Sequence, residues 1–574
     1  MSLTGAEILI RALQEQGVEV LFGIPGAKTL ALHDALSRSS LQHVLVKHEQ
    51  GAAHAADGFA RASGRVGVCL STSGPGATNL VTGIATANMD SIPVVAITCQ
   101  VETHSIGSDA FQEADITGIT RSITKHNGLV SSVDRLEVAV AEAFHFARTG
   151  RPGAVVIDIP ADVLRARGTY HGGATARRPG YRPNLEGHPL QVRRAADALA
   201  GAERPVLYVG GGVVAAGAHA ELRQLAERAG TPVVSTLLGL GAMPGQHPLF
   251  AGMLGMYGSH AANVTIQHAD LVLAVGARFD DRATGRVRDF APAARIIHVD
   301  MDPAEIGKNA RVDIPIVGDA RRVLQQLLAA ITPGETGAWL EAVEGYRKDL
   351  PYPPARAGAL TQQGTIEAIC RRVQGKAIVA TDVGLHQMFV ARHIPFDRPR
   401  QLLSSGGLGT MGFGLPAAMG AAFARPGEDV LAICGDGSFL MNIQELATVA
   451  EHALPIKAVV LNNGNLGMVR QFQRLYYNGN FTAVDQPPHI DFALIARGFG
   501  VPSACVSDPA DLEGALDRAL SAPGPFLLEV ETDVAEECLP MVRPGGSLSD
   551  MIYGGAAEAA PALRPAGATT EARR

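Results

Sequence analysis

The stretch GDGSFLMNIQELATVAEHALPIKAVVLNN, residues 435–463, sets an aspartate between two glycines at the end of one apolar run and two asparagines at the end of the next. A glycine-flanked aspartate is by itself a turn or a helix N-cap. Paired with an asparagine at a neighbouring strand end, it becomes a candidate site for a hard cation. Mg²⁺ takes oxygen ligands in octahedral array and shares them with phosphates. The Asp436 carboxylate, the Asn463 carboxamide oxygen and the Asn465 backbone carbonyl would supply half of that shell, leaving room for oxygens of a diphosphate. Gly435 and Gly437 have no side chain, so phosphates could approach the backbone and the amides that open the following helix.

A second acidic residue stands in HVLVKHEQGAAHAADGFARASG, where Glu49 follows a β-rich run and opens a small-residue helix. A lone glutamate there satisfies the helix dipole. A glycine-dense loop, SGGLGTMGFGLPAAMGAA, runs from Ser405 to Ala422.

These residues need strand ends to hold them. Residues 1–165 alternate helical patterns with the runs VEVLFG, HVLVKHE, GVCLST, VVAITC and AVVIDIP, which predicts parallel βαβ units. After the linker RRPGYRPNLEGHP, a second block over 190–330 carries PVLYVGGGVV, TPVVST, ADLVLAVGARF and ARIIHVDMD. A third, over 360–545, carries AIVATDVG, QLLSSGG, VLAICGDG, AVVLNNG and FLLEVET. Residues 546–574 are of low complexity and are expected to be disordered. The expected fold is therefore three α/β domains with parallel sheets.

The composition agrees: 47% hydrophobic, 18% charged and 5% aromatic, with 65 Gly among 574 residues, suits stacked α/β layers better than a sandwich or coiled coil. A net charge of −7 with mixed signs gives no footprint for nucleic acid or an anionic membrane. No apolar run reaches spanning length, and the opening residues show no signal peptide. The six cysteines are scattered without CxxC spacing, as reduced thiols would be. A cytoplasmic protein is expected.

GDG with NN at the matching strand end, together with HEQGAAHAADGFAR, resembles the thiamine diphosphate (ThDP) enzymes. The likeness runs nearly end to end and is nearest the catalytic subunits of the acetohydroxyacid (acetolactate) synthase family. TSGPGATNLVTGIATANMDSIPVVAIT, GARFDDRATG, HVDMDPAEIGKN and PMVRPGGSLSDMI carry it. The resemblance implies three doubly wound domains of the ThDP-enzyme type: pyrimidine-binding, central, and diphosphate/Mg-binding. The implied reaction decarboxylates pyruvate and transfers the hydroxyethyl unit to a second 2-oxo acid, pyruvate or 2-oxobutyrate. That is the first common step of branched-chain amino acid biosynthesis. The cofactor supplies the electron sink.

The resemblance also assigns roles. Glu49 would activate the cofactor and Gln112 would stand in the catalytic site. Arg282 would receive the second acid's carboxylate as a bidentate cation. Gly384, His386, Gly409, Met411, Gly435, Gly437, Ser438 and Met468 would join Glu49, Asp436 and Asn463 around ThDP, with Gly409 accepting from the 4′-amino group and Met411 wedging the bent cofactor. Arg151, Gly210, Gly211, Gly212, Gly276, Ala277, Arg278, Asp280, Arg282, Asp300 and Asp319 would bind an FAD that takes no electrons and is structural. The glutamate and the Mg²⁺ end come from different subunits in that family, so a homodimer or homotetramer is implied, and a small regulatory subunit is compatible with it.

Some positions depart from the family pattern. Phe472 stands where Trp is usual, which puts preference for 2-oxobutyrate in doubt. Leu385, Ala161 and Tyr257 replace the usual Gln, Lys and His, and GIPGAK is nearer the FAD-free catabolic enzymes. Competing readings are another ThDP enzyme (a pyruvate oxidase or a carboligase with another acceptor), a non-catalytic ThDP-fold binding protein, and an NAD-type oxidoreductase resting on the GGG loop. That loop lacks the full GxGxxG fingerprint.

Overall fold

A computed structural model describes residues 2–554 apart from 177, 333, 351 and 487–489. The chain divides into two compact units, one of Met1–Pro183, Ala357–Val390 and Arg400–Glu536, the other of Asn184–Arg356, Ala391–Pro399 and residues from 537 onward.

The first unit contains two six-stranded sheets, parallel throughout. In sheet order the strands of one are 42–45, 20–23, 67–71, 94–100, 155–160 and 126–129. Those of the other are 402–403, 378–381, 430–435, 456–462, 526–531 and 503–506. Numbered as they occur along the chain, both sheets follow the order 2-1-3-4-6-5, so two separated stretches of sequence share one topology. The order reverses beside the first strand, and open α/β sheets bind ligands at that point. The reversal lies between Gly23 and Ser71 in one sheet and between Thr381 and Gly435 in the other.

The central strands are apolar runs buried along their whole length, as Val430–Gly435 shows, because helices cover both faces. A single core joins the two sheets through the helices Glu49–Ser63 and Gly414–Ala424. These helices are rich in Ala and Gly, which lets their backbones touch. A Cβ on Gly420 would lie 1.9 Å from the Ala55 carbonyl oxygen.

The second unit has strands 250–253, 233–235, 205–209, 271–275, 295–300 and 314–317 in sheet order, which is 3-2-1-4-5-6 along the chain. That is the doubly wound order of dinucleotide-binding sheets, with its reversal between 205–209 and 271–275. Trp339 is buried on this sheet and donates from Nε1 to the Pro205 carbonyl at 3.0 Å.

Two boundaries differ from the sequence reading. Residues 391–399 and 537–545, assigned there to the third domain, belong to the second unit. Residues 546–554, assigned to the disordered tail, are ordered. Met551–Ile552 pairs antiparallel with Met541–Val542, and Leu548 and Met551 are buried in the second unit's core. Residues 555–574 lie outside the described residues.

Candidate active site

The strand Val430–Gly435 delivers Asp436 to the mouth of its sheet, where it opens the short helix Asp436–Phe439. Asp436 is 3% exposed, and its Oδ2 has no hydrogen-bond partner. Burial pushes its carboxyl up to about 6. The next strand, Ile456–Asn462, delivers the asparagine pair, and its two members part company. Asn462 turns back into the sheet, donating to Glu529 Oε1 at 2.8 Å and accepting from the Gly464 N–H at 3.0 Å. Asn463 is buried and its Oδ1 accepts from the Asn465 N–H at 3.1 Å. The Asn465 Oδ1 is buried without a partner, so this side chain offers an oxygen where the sequence suggests a backbone carbonyl.

The glycines beside these oxygens are closely packed by neighbouring side chains. A Cβ on Gly435 would meet His386 Nδ1 at 2.9 Å, and one on Gly437 would meet Leu466 at 2.6 Å. A Cβ on Gly384 would meet His386 Cε1 at 2.7 Å. Burial pulls His386 down to about 3, and its buried Nε2 has no partner. The imidazole is therefore neutral at physiological pH and free to hydrogen-bond an incoming group. Ser438 is buried and donates to the Gly435 carbonyl at 3.1 Å. Met468 is half-buried near the start of the helix Gly467–Tyr476. One carboxylate and amide oxygens make a hard-oxygen set that suits Mg²⁺ and suits soft metals poorly.

The glycine loop is held from beneath. Asp382, which sequence reasoning passed over inside TDVG, accepts from the N–H groups of Val383, Gly412 and Gly414 at 2.9, 2.8 and 3.2 Å. Asp90, missed inside NMDSIP, accepts from Gly406 and Gly407 at 3.1 and 2.7 Å. Between these anchors Gly409 is exposed at φ +68°, a left-handed conformation that favours glycine, and Met411 is half-buried.

Glu49 lies on the other sheet of this unit, where it opens the helix that follows the edge strand 42–45. It is 9% exposed as the first residue of its helix, and its Oε2 accepts from Asn79 Nδ2 at 3.0 Å. A Cβ on Gly76 would come within 3.2 Å of Oε1. The adjoining strand end, Ser71–Ser73, presents three buried hydroxyls without partners. Gln112 is half-buried at φ +63° with its backbone against Gly74, so the structure brings it to the Glu49 side. The contacts of Glu49 are with this sheet's own loops, and those of Asp436 with the other sheet's. Asn79 carries no signal beyond TSGPGATN.

The second unit explains its glycines by packing. A Cβ on Gly210 would meet the Gly276 carbonyl oxygen at 2.2 Å, and one on Gly212 would meet Gly276 Cα at 2.6 Å. Gly276 itself has φ +58°. A Cβ on Gly211 would lie 3.3 Å from Leu238 Cβ, a tight contact. Ala277 is buried, its carbonyl 3.0 Å from His298 Nε2, and the Arg278 carbonyl accepts from Asn309. Asp280 caps the turn Asp281–Thr284 through the N–H groups of Arg282 and Ala283. Asp300 ends its strand and accepts from Asp302 N–H, while Asp319 caps the helix Ala320–Ala330. Arg282 is 59% exposed, with Nη1 3.2 Å from Met256 Sδ. Arg151 belongs to the first unit and donates to Ser91 Oγ at 2.9 Å. The 3-2-1-4-5-6 sheet fits a dinucleotide, but the mutual packing of Gly210, Gly212 and Gly276 accounts for those glycines without one.

Comparison with known proteins places these features in a family. Residues 3–119, 192–327 and 382–530 match the N-terminal TPP binding domain, the central domain and the C-terminal TPP binding domain of thiamine pyrophosphate enzymes. The chain is 48% identical to the acetolactate synthase large subunit of Mycobacterium tuberculosis over 98% of its length and 92% of that protein's. It is 47% identical to a probable acetolactate synthase large subunit of Methanocaldococcus jannaschii, covering 96% of this chain and 95% of the relative. It is 45% identical to acetolactate synthase isozyme 1 large subunit of Escherichia coli, covering 96% and 97%.

Proposed function

The chain belongs to the thiamine pyrophosphate enzymes, in their acetolactate synthase family, and from that premise we propose how its own residues carry the reaction. It is a ThDP-dependent acetolactate synthase, joining two 2-oxo acid molecules with loss of CO₂. The observation that carries the assignment of the site is the set of buried, unpartnered oxygens at one strand-end crevice, Asp436 Oδ2 and Asn465 Oδ1, beside Gly435 and Gly437.

When bound, ThDP supplies the electron sink for decarboxylation and for forming the new carbon–carbon bond, with Mg²⁺ holding its diphosphate. Asp436, Asn463 and Asn465 hold that ion. The neutral His386 and the amides opening at Asp436 bind phosphate oxygens. Gly409 and Met411 seat the aminopyrimidine. Glu49 holds or releases a proton at that ring, in a setting where burial and Asn79 fix its carboxyl. Gln112 lines the Glu49 side, and Arg282 orients the second acid's carboxylate.

Glu49 makes its contacts on one sheet and Asp436 on the other. We therefore read the working form as a homodimer or homotetramer in which Glu49 serves the partner's cofactor. Large apolar side chains exposed beside the two half-sites favour this: Phe111 is 84% exposed, next to Gln112, and Met441 is 51% exposed, between Asp436 and Glu445. FAD as a structural group is favoured by the sheet order of the second unit, and a small regulatory subunit by the large-subunit names of the relatives. Among the described residues no helix is long and apolar enough to cross a membrane, and all six cysteines are free thiols, which favours the cytoplasm.

The test is to supply purified protein with Mg²⁺, ThDP and FAD and to feed pyruvate with and without 2-oxobutyrate. Acetolactate, seen as acetoin only after acid treatment, is the expected product, and Glu49→Gln should abolish it. Oxygen uptake in place of acetolactate would identify an oxidase and overturn this reading. Phe472, half-buried beside Tyr476 with ring centroids 5.9 Å apart, favours pyruvate as acceptor, so the homologous product should be the minor one.

A further inference from the structure

Beyond Asp436 in the same stretch, the chain passes through Ile443–Glu445 and Leu446–Glu451 before entering the strand that carries Asn463. Glu445 ends the first of these turns and is 0% exposed. Its carboxylate reaches the other half-site. Oε1 accepts from the backbone N–H of Lys47 at 2.9 Å and of His48 at 3.0 Å, the two residues before Glu49. Oε2 accepts from the Thr448 hydroxyl at 2.9 Å. A Cβ on Gly51 would lie 2.6 Å from Glu445 Oε1, so the glycine of HEQG leaves the space that the carboxylate fills. The N-cap His48 N–H is one of the orphan donors of this helix start, whose positive dipole end also favours a carboxylate, and the Lys47 N–H lies just ahead of it. Lys47 adds a second tie through Nζ to Glu451 at 3.0 Å.

The stretch that bears the metal ligands therefore also fixes the backbone from which Glu49 projects. We propose that Glu445 is a positioning residue. Its carboxylate locks the Lys47–His48 turn, and that lock holds the Glu49 carboxyl where it can exchange a proton with the cofactor ring. The inference rests on the reading of Glu49 as the activating group. Glu445 itself touches neither substrate nor cofactor in this scheme.

The experiment compares full-length wild type with Glu445→Ala, Glu445→Gln and Glu49→Gln. Three quantities are read: amide hydrogen exchange over residues 44–52 without cofactor, Mg²⁺–ThDP affinity, and the rate of C2–H exchange in bound ThDP. In Glu445→Ala the 44–52 amides should exchange faster and C2–H exchange should slow by at least about tenfold, while cofactor affinity stays within about threefold. Glu445→Gln should recover both rates. Its carbonyl can keep the two backbone N–H groups while its amide donates to Thr448, whose hydroxyl already lies 3.2 Å from the Leu45 carbonyl. If the alanine variant does not accumulate folded, Glu445→Asp, which retracts the carboxylate by one methylene, should show the same two losses in milder form.

Wild-type C2–H exchange in Glu445→Ala, or in Glu445→Asp where that stands in for it, beside slow exchange in Glu49→Gln overturns the role of Glu445. So does a glutamine variant as slow as alanine. Wild-type exchange in Glu49→Gln overturns the reading of Glu49, and this inference with it.

Discussion

Gly58 lies directly against Ala417: a Cβ built on it would sit 2.2 Å from the Ala417 carbonyl oxygen. The two helices meet backbone to backbone, and neither can retreat without shifting a half-site, because Glu49 begins one and the glycine loop feeds the other. Gly58→Ala should destabilise the cofactor-free protein by at least ~2 kcal/mol, the upper part of the usual range for overpacking a core. Thermal and urea unfolding check this. A change below ~0.5 kcal/mol would show that the helices separate freely.

Acidity should act on the site in a definite direction. Burial raises the carboxyls of Asp436, Asp382 and Asp158 to about 6, above the ordinary 3.8. The folded chain thus prefers them protonated. The stability this contributes is present below the ordinary carboxylate range and is lost as pH rises through about 6. Bound Mg²⁺ needs the ionised Asp436. The thermal stabilisation produced by Mg²⁺ and ThDP should therefore grow between pH about 4.5 and 7. Asp436→Asn should remove most of that growth. The cofactor-free variant should also gain on wild type across the same window, since it has no carboxyl to ionise. Melting curves at several pH values, with and without Mg²⁺ and ThDP, decide it.

The two adjacent asparagines should differ in what they do to cofactor binding. Asn462→Ala removes the donor to Glu529, a carboxylate 2% exposed that also accepts from the Ala493 N–H, and should cost the cofactor-free protein ~1–3 kcal/mol. Asn463→Ala frees the buried Asn465 N–H and should cost the cofactor-free protein ~1 kcal/mol, and it should weaken Mg²⁺ and ThDP binding at least tenfold, since it deletes one ligand of a hard ion. Denaturation curves and cofactor titrations on the pair separate the roles. Equal loss of cofactor affinity in both would contradict the split seen in the structure.

That split shows where sequence reading stops. Composition and spacing mark NN as one feature, because both residues are amides at a strand end, and only the pleat decides that Asn462 faces Glu529 while Asn463 faces the crevice. The buried central strands were legible as apolar runs. The strands 126–129, 250–253, 314–317 and 503–506 were not, and each lies at or beside the rim of its sheet, where partial exposure breaks the run. Asp436, Glu49 and the glycine loop stood out by motif. Asp382, Asp90, Asn79 and Glu445 did not, because their work is to accept from distant backbone or to donate to Glu49, and no local pattern records such a pairing. The shared 2-1-3-4-6-5 order of the two sheets in the first unit leaves no repeat in the sequence either.

The last prediction concerns Asp90, where a fully buried charge network meets the glycine loop. Arg61 bonds Asp57 and, at 2.8 Å each, Asp90 and the Ser404 carbonyl, and its side chain is 6% exposed against 0% for both aspartates. Burial disfavours the charges of Asp57 and Arg61, and the attraction of the two aspartates for Arg61 offsets that cost. Asp90→Ala would strand part of Arg61's charge and free the N–H groups of Gly406 and Gly407 at the same time. Breaking one partner of a buried pair costs ~3–5 kcal/mol, so the cofactor-free protein should lose about that much stability. Asp90→Asn keeps an acceptor for one of the two glycine amides and should lose less. Because the loop carrying Gly409 is anchored here, residual folded Asp90→Asn protein should also bind ThDP more weakly, by about tenfold, with Mg²⁺ bound as before. Unfolding curves and calorimetric titration of ThDP at saturating Mg²⁺ test both parts. Unchanged ThDP affinity in a destabilised Asp90→Asn variant would confine the network to folding and remove it from the site.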